Sequence, residues 1–421
     1  MNLFSLLDHD GRLLFSTRLV RLFAYGFLSV VLALYLAQVG LSEVEIGTIV
    51  TFTLLGDAGI SLAITTTADR IGRRRMLILG AGLMLFAGII FALTSNIVLL
   101  VIAAVIGVIS PSGNEIGPFL SIEQAALSQI VPNEQRTRVF AWYSLVGSFA
   151  TALGALGGGG LAQTLQGGGM TPLSSYRVIV VAYAALGLVL AFLFSRLSPS
   201  VEIIAQVAPA SAPNRIFGLH RSGHVVVKLS ALFALDAFAG GFIVQSLLAY
   251  WFFVRFGVDP AVLGAIFFGA NIFAGISALA AARVAARIGL INTMVWTHIP
   301  SNVLLILVPL MPNLPLAIAM LLARFSISQM DVPTRQSYTM AVVSPDERSA
   351  ASGITTIARS IGAAISPILT GALLGASLLS LPFFLSGGLK IVYDVALYFN
   401  FRSMKPPEEE PKPMASRKNV V

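Results

Sequence analysis

Ionisable residues interrupt the long apolar stretches of this chain, and they are concentrated in three of them. The acids and bases of the fourth, seventh and tenth apolar segments are Glu115, Glu123, Asp236, Arg324, Asp331 and Arg335. A charged side chain at the centre of a helix in lipid costs about 2.5–3.5 kcal/mol on insertion scales, so such residues are functional candidates by default. We expect them to face water or a bound molecule, and Glu115, Glu123 and Asp236 are our candidates for proton coupling.

Glu115 is the first of these candidates because it lies beside a predicted helix break. The segment 110–118 contains two prolines and two glycines, which free backbone carbonyl groups and permit the close approach of neighbouring helices. A carboxyl group that a moving helix bundle alternately hydrates and buries can take up and release a proton. The alternative is a static role, in which Glu115 pairs with Arg324 or caps the broken helix.

The tenth segment offers an ion pair that can open. Asp331 and Arg335 are four residues apart, so they share one helical face and can pair with each other. If they separate, Arg335 is available to bind an anion or Glu123. We favour an ion pair between Glu123 and Arg335 as a gate between the two halves of the chain. Asp236 is placed to form a second bridge between the halves, to Arg18 of the first segment.

The remaining charges within apolar segments rank lower as site candidates. Lys390 and Asp394 have the i to i+4 spacing of an internal ion pair, while Asp57 and Arg359 lie in the second and eleventh segments. Over all segments, and with two arginines of the first segment included, six acids face six bases. We therefore expect a nearly neutral lumen and an amphipathic or zwitterionic ligand.

The elements that position these charges follow from the composition. Of the 421 residues 56% are hydrophobic and only 11% are charged, whereas a soluble globular protein has about 25% charged residues. A helix needs about 20 apolar residues to cross a bilayer. The hydropathy predicts twelve such spans, near residues 17–39, 45–67, 75–95, 97–126, 139–163, 173–196, 229–254, 260–282, 290–312, 314–341, 349–376 and 380–401.

The twelve spans fall into two groups of six that repeat each other. The predicted parts are an N-terminal six-helix bundle at 1–196, a cytoplasmic linker at 197–228, a C-terminal six-helix bundle at 229–402 and a disordered cytoplasmic tail at 403–421. A shift of 217 residues superposes Gly47 on Gly264, and a shift of 212 superposes Gly159 on Gly371. Two repeats of this kind, with a site between them near the midplane, are typical of secondary transporters.

Lys and Arg are distributed unevenly between the two predicted membrane sides. Arg177 and Arg255 lie on one side, whereas most of the 27 Lys and Arg residues lie on the other. The positive-inside rule therefore places both termini and the linker in the cytoplasm. We expect a multi-pass protein of the bacterial inner membrane.

The loop between the second and third spans carries the most specific motif, Asp69-Arg70-Ile-Gly72-Arg73-Arg74-Arg75. It resembles the loop signature of the major facilitator superfamily, Gly-x-x-x-Asp-Arg-x-Gly-Arg-Arg, with Thr65 in place of the first Gly. The resemblance implies an all-α fold of twelve helices in two pseudo-symmetric bundles. It also implies a gating motif of Asp69, Arg70, Gly72, Arg73 and Arg74, in which Asp69 contacts the start of span 11 and latches the cytoplasmic side. The alternative is that the arginines only fix the topology.

The same resemblance implies that spans 1, 4, 7 and 10 line a central cavity. The candidates for contact with a substrate on these spans are Tyr25, Asn114, Arg324, Gln329, Asp331 and Arg335. The chain departs from the antiporter members at two places. The usual Arg before Gly113 is absent, and the glycine-rich span 5 lacks the proline of its family motif, which occurs instead in span 11 as Pro367.

We expect a secondary active transporter and not an enzyme. The predicted activity is proton-coupled efflux, as an antiporter, by rocker-switch alternating access. The alternatives are an uptake symporter or facilitator and, from another class, a transport-dead sensor or a lipid-handling protein. The chain has no Cys, only four His and no nucleotide-binding Gly-x-x-x-x-Gly-Lys-Ser/Thr motif. We therefore expect no metal, cofactor or nucleic acid; the expected partners of the monomer are a small molecule, protons and the lipid bilayer.

Overall fold

The computed structural model describes residues 7–115, 117–202 and 220–404. In these ranges the regular structure is helical, and the prediction of an all-α fold with two groups of six spans is confirmed. Most of the predicted linker and the tail from residue 405 lie outside the described residues, so the disorder of the tail stays a prediction.

Four spans of the N-terminal half are single helices and two are broken. Span 1 is the bent pair His9–Ser29 and Leu32–Gln38, and span 4 consists of Ile97–Ile106 and Phe119–Ile130. The continuous spans 2, 3, 5 and 6 are Glu43–Ile71, Arg73–Leu93, Asn133–Gly167 and Pro172–Ser195. Span 2 begins with a capping box in which Ser42 and Glu45 satisfy each other's backbone N–H groups.

The C-terminal half repeats this pattern of breaks. Span 7 consists of Gly223–Gly241 and Gln245–Phe256, and span 10 of Leu314–Ser328 and Asp331–Val342. The continuous spans 8, 9, 11 and 12 are Pro260–Ile288, Leu290–Leu307, Arg348–Gly375 and Leu381–Phe401. Span 7 begins at Gly223, so the linker ends before the predicted residue 228.

Glycine contacts join the two halves at two crossings. Span 2 meets span 11 where a Cβ atom on Gly47 would lie 3.0 Å from the Cα atom of Gly371. Span 5 meets span 8 where a Cβ atom on Gly159 would lie 2.8 Å from the Cα atom of Gly264. The internal repeat superposes Gly47 on Gly264 and Gly159 on Gly371, so the two crossings are pseudo-symmetric copies. The absence of side chains permits this backbone approach.

The interface between the halves is closed at one side of the bundle. We call the side with the chain ends and the linker the linker side, and the other the opposite side. Near the opposite side the Tyr250 hydroxyl donates to the Glu43 carboxylate over 3.0 Å, and the Ile368 N–H donates to the Thr51 hydroxyl over 3.0 Å. These bonds join span 7 to span 2 and span 11 to span 2, so they hold the opposite side shut.

Candidate functional site

The four spans that the family resemblance places around the cavity are the four that are broken, and three of the breaks meet. The Gln245 side-chain amide donates to the Ser29 hydroxyl over 2.8 Å, and the Ser246 N–H donates to the Pro111 carbonyl over 2.9 Å. Gly113, with a φ of 68°, lies so close that an added Cβ would be 3.0 Å from the Ser29 hydroxyl. Spans 1, 4 and 7 therefore join in a polar contact across the two halves. The break at 110–118 is confirmed.

A cluster of two arginines and two glutamates lies next to this contact, within the N-terminal half. Glu115 accepts from Arg18 over 2.6 Å and from the Nε of Arg21 over 2.8 Å. Arg21 also binds Glu123 with both terminal nitrogens, each over 2.7 Å. Such bidentate ion pairs fix the relative orientation of the two side chains as well as balancing their charges. We call these four residues the N cluster.

Glu123 and Arg21 are the most buried members of the N cluster. The side chains of Glu123 and Arg21 are both 0% exposed. Thr17 donates to Glu123 over 2.9 Å, and the Tyr143 hydroxyl donates to its other oxygen. Arg18 in turn donates to the Tyr143 carbonyl over 2.7 Å and stacks on the Tyr143 ring. Glu123, which was predicted to form a gate with Arg335, is thus bonded to residues of the N-terminal half.

Arg21 and Tyr143 were not among the predicted site residues. The predicted start of span 1 near residue 17 leaves the arginines at the end of the helix. In the structure Asp8 accepts from the Gly11 N–H and begins the helix at His9. Arg18 and Arg21 are therefore in the third and fourth turns, inside the bundle. The signal was Asp8 three residues before Gly11.

The C-terminal half has the opposite arrangement, in which one aspartate gathers three cations. Asp236 accepts from Lys390 over 2.5 Å, from Arg359 over 3.1 Å and from Arg335 over 3.4 Å. Arg335 also pairs with Asp331 over 2.7 Å. We call these five residues the C cluster. It links spans 7, 10, 11 and 12.

These contacts correct several predicted pairs. In this conformation Arg335 does not pair with Glu123, because each is bound within its own half by closer partners, so their role as a state-dependent gate stays a prediction. The bridge from Asp236 to Arg18 is wrong for the same reason. The i to i+4 pairing of Asp331 and Arg335 is confirmed.

One alternative and one further prediction about partners are also wrong. Glu115 pairs with Arg18 and Arg21 rather than with Arg324. Lys390 turns to Asp236, while its predicted partner Asp394 binds His298 over 2.8 Å and the Asn302 amide over 3.0 Å. The His298 contact joins spans 9 and 12 and was not predicted.

Arg324 differs from the other buried bases. Its residue exposure is 7%, and its Nε has no hydrogen-bond partner among the described residues. Its guanidinium lies 4.9 Å from the centre of the Phe325 ring. Ser328, one turn further on the same face, has a buried hydroxyl that also lacks a partner in the described part of the chain. Gln329 is half-buried, and its N–H donates to the Ser277 hydroxyl.

The remaining cavity candidates, together with Asp57, lie near the break in span 4. Tyr25 is fully buried, whereas Asn114 is exposed although it lies within a span. Asp57 accepts from the Gly117 N–H and from Ser61, so it holds the break rather than a substrate.

The gating motif is held by the start of the linker. Asp69 pairs with Arg73 over 3.1 Å, four residues on, and the carboxylate of Glu202 accepts from the N–H groups of Arg73 and Arg74 over 2.7 and 3.1 Å. A carboxylate is favourable at the N-terminus of a helix, here span 3. Arg70 is exposed, and Gly72 adopts a φ of 116°, which favours glycine. The contact of Asp69 with span 11 stays a prediction.

The start of span 11 is instead bonded to the end of the linker. Glu347 accepts from the N–H groups of Arg221 and Ser222, each over 2.8 Å, and from His220. Burial alone would raise the pKa of Glu347, but these hydrogen bonds outweigh it and lower the pKa to about 2. Each end of the linker is thus fixed to one half by a glutamate.

An open groove of about 750 Å³ lies on the linker side of the C-terminal half. Its lining comes from spans 8, 9 and 10 and the start of span 11, including Ala282, Leu290, Gln336 and Arg348. None of its described lining residues belongs to the N or C cluster. The groove is therefore separate from the charges that define the candidate site.

Comparisons with known proteins agree with this fold. The family model of the Major Facilitator Superfamily matches residues 14–330 and 231–420. An uncharacterised membrane protein of Saccharomyces cerevisiae, YJR124C, is 30% identical over 94% of both chains. A mutant of the nucleoside transporter NupG has a TM-score of 0.73 at 13% identity, over 93% of this chain and 100% of that one. A D-xylose–proton symporter has a TM-score of 0.68 at 15% identity, over 92% and 97%.

Proposed function

This chain belongs to the Major Facilitator Superfamily, and from that premise we propose that it is a proton-coupled secondary transporter. It exports a small amphipathic or zwitterionic solute by rocker-switch alternating access, in exchange for protons. The linker side faces the cytoplasm of a bacterial-type inner membrane, as the positive-inside rule predicts. The protein works as a monomer.

The main support is the position of Glu115. Its side chain is 15% exposed, whereas Glu123 is fully buried, so Glu115 is the carboxylate of the N cluster that water can reach. A proton on Glu115 removes the charge that binds Arg18 and leaves Arg21 with Glu123 alone. The contact between span 1 and the broken part of span 4 then changes in response to a proton.

The interface supports the alternating-access part of the proposal. The two halves touch through glycine crossings and through the contact at the breaks of spans 1, 4 and 7. The polar contacts of Glu202 and Glu347 on the linker side each run within one half. Two bundles that are joined in this way can rock about the crossings.

Transport in reconstituted vesicles tests the proposal. Purified protein is placed in proteoliposomes with an imposed pH gradient. The flux of small zwitterions is measured from their label, and the movement of protons is measured with a trapped pH-sensitive dye. The parent moves solute against its gradient and protons in the other direction. Glu115→Gln reduces the flux that the pH gradient drives by about five- to 150-fold, the usual range of coupling between two ligands.

A matched acid-to-amide variant is the control for this experiment. Asp259 is exposed and its side chain makes no capping bond at the start of span 8. Asp259→Asn therefore keeps the parent's flux. A Glu115→Gln protein that follows the pH gradient as the parent does would contradict the proposal.

Uptake by proton symport is the second candidate, and one of the similar structures is a D-xylose–proton symporter. The same vesicles separate the two directions. In export by antiport, solute and protons cross in opposite directions; in symport they enter together.

A further inference from the structure

Four cations within the spans of the C-terminal half, three of them buried, lie near two buried carboxylates. Asp236 forms ion pairs with Lys390, Arg359 and Arg335, and Asp331 forms a second ion pair with Arg335. Arg324 is the fourth cation, and it has no ion pair or hydrogen bond within the described residues. Buried charges are normally paired because an unpaired one is costly.

Arg324 cannot obtain a carboxylate without taking it from a closer partner. Both Asp236 and Asp331 already hold cations at 2.5–3.4 Å. The contact with the Phe325 ring at 4.9 Å offers no hydrogen-bond acceptor. The guanidinium has five N–H donors in a fixed plane, which match the oxygens of a carboxylate or phosphate.

A second unsatisfied group points to the same place. Ser328 lies four residues after Arg324, and Asp331 and Arg335 continue that helical face toward the C cluster. The hydroxyl of Ser328 is buried without a partner in the described residues and can donate one more bond to an anion. Arg359, with a side chain that is 32% exposed, is the cation of the C cluster that solvent reaches.

We propose that Arg324 and Ser328 bind the anionic group of the transported solute, so that the solute is an organic anion or a zwitterion with a carboxylate or phosphate. The proposal rests on the transport function proposed above and adds the class of substrate. The negative end of the solute faces span 10, where its charge offsets the excess of cations in the C-terminal half.

Thermal unfolding of the purified full chain in chloride-free detergent buffer tests the anion site. The probes are phenylacetate, acetate, inorganic phosphate and chloride, with phenethylamine as a ligand of similar shape and opposite charge. Phenylacetate raises the midpoint of the parent by about 2 °C near saturation, and phenethylamine does not. Asp259→Asn shows the parent's shift.

Variants at the site connect the shift to Arg324. Arg324→Gln abolishes the shift with phenylacetate, Arg324→Lys retains part of it, and Ser328→Ala weakens the apparent affinity by about tenfold. If Arg324→Gln does not yield folded protein, the Lys and Ala variants decide the result. An equal shift in these variants and the parent, or no shift in the parent with any of the anions, overturns the proposal.

The same set of anions also shows whether the site binds the anionic group of a solute or a free inorganic ion. If chloride or phosphate gives the full shift and phenylacetate adds nothing, the site binds an inorganic ion, and the inference about the solute is wrong. Vesicle transport is measured in parallel. Flux that follows the pH gradient equally in the parent and Arg324→Gln would overturn this inference while leaving the transport function intact.

Discussion

The two halves carry buried charges of opposite polarity on equivalent helices. In the N-terminal half the arginines are on span 1 and the glutamates on span 4. In the C-terminal half the gathering acid, Asp236, is on span 7, and cations lie on spans 10, 11 and 12. The internal repeat superposes Glu123 on Arg335. The chain thus preserves the helical repeat while it inverts the charges.

The halves also differ in how completely their polar groups are satisfied. In the N cluster both oxygens of Glu123 are bonded, by Thr17, Arg21 and Tyr143. In the C-terminal half the buried polar atoms without a partner, among the described residues, include those of Ser301, Arg324, Ser328 and Ser386. In the N-terminal half such atoms, among the described residues, are those of Arg136 and Gln163, outside the N cluster. The difference agrees with our two proposals, in which the N-terminal half responds to a proton and the C-terminal half binds the solute.

The largest effect on stability is expected from Arg21→Gln, which breaks the ion pairs of the N cluster. Glu123 would remain buried and charged with only hydroxyl donors, and removing one partner of a buried pair costs about 3–5 kcal/mol. We expect a large fall in the unfolding midpoint, measured in detergent by differential scanning fluorimetry. The double variant Arg21→Gln with Glu123→Gln should recover most of the loss, and an equally unstable double variant would argue against a paired network.

A smaller effect is expected from Lys390→Gln in the C cluster. Asp236 keeps Arg335 and Arg359 after the change, and the excess of cations decreases, so the cost should be about 1 kcal/mol. The same unfolding assay makes the comparison direct. If Lys390→Gln destabilises the protein as much as Arg21→Gln does, the two halves do not differ in the way described here.

The smallest effect concerns the contact between Glu347 and the end of the linker, and it depends on pH. Its pKa is about 2 in the folded protein, against the ordinary value of 4.5. Its contribution to stability is therefore complete above pH 4.5 and is lost as the pH falls toward 2. Glu347→Gln should lower the midpoint at pH 7, and the difference from the parent should shrink as the pH falls below 4.5.

Asp259→Asn is the control for that pH series. A difference between Glu347→Gln and the parent that stays constant from pH 7 to pH 3 would show that the carboxylate does not hold the linker through its charge.

The fold could be predicted from the sequence because the long apolar segments and the internal repeat determine it. Twelve spans, two halves and the break at 110–118 all follow from hydropathy, from a repeat with nearly equal offsets, and from prolines and glycines. The break at Ser328–Asp331 in span 10 could not be foreseen, because Pro333 lies after it. The glycines of the crossings were visible as a repeat with offsets of 217 and 212 residues, although their contacts were not.

The partners of the charges could not be predicted, because ion pairing depends on where a helix begins and how it is rotated. Span 1 begins at His9, which moves Arg18 and Arg21 into the bundle. Lys390 and Asp394 have the spacing of an internal pair, yet Asp236 and His298 from other spans offer closer contacts. Spacing along one helix cannot reveal such competition.

The most direct test measures whether protonation of Glu115 decides which side of the bundle is open. The chain has no cysteine, so spin labels can be placed at Arg70→Cys and Ser352→Cys on the linker side, and at Gln38→Cys and Ala376→Cys on the opposite side; all four positions are exposed. Distances are measured by double electron–electron resonance in the parent and in Glu115→Gln, whose side chain is uncharged, as a protonated Glu115 would be. Loss of the charge should shorten the linker-side distance and lengthen the distance on the opposite side. A Glu115→Gln protein with the parent's distances on both sides would contradict the proposal.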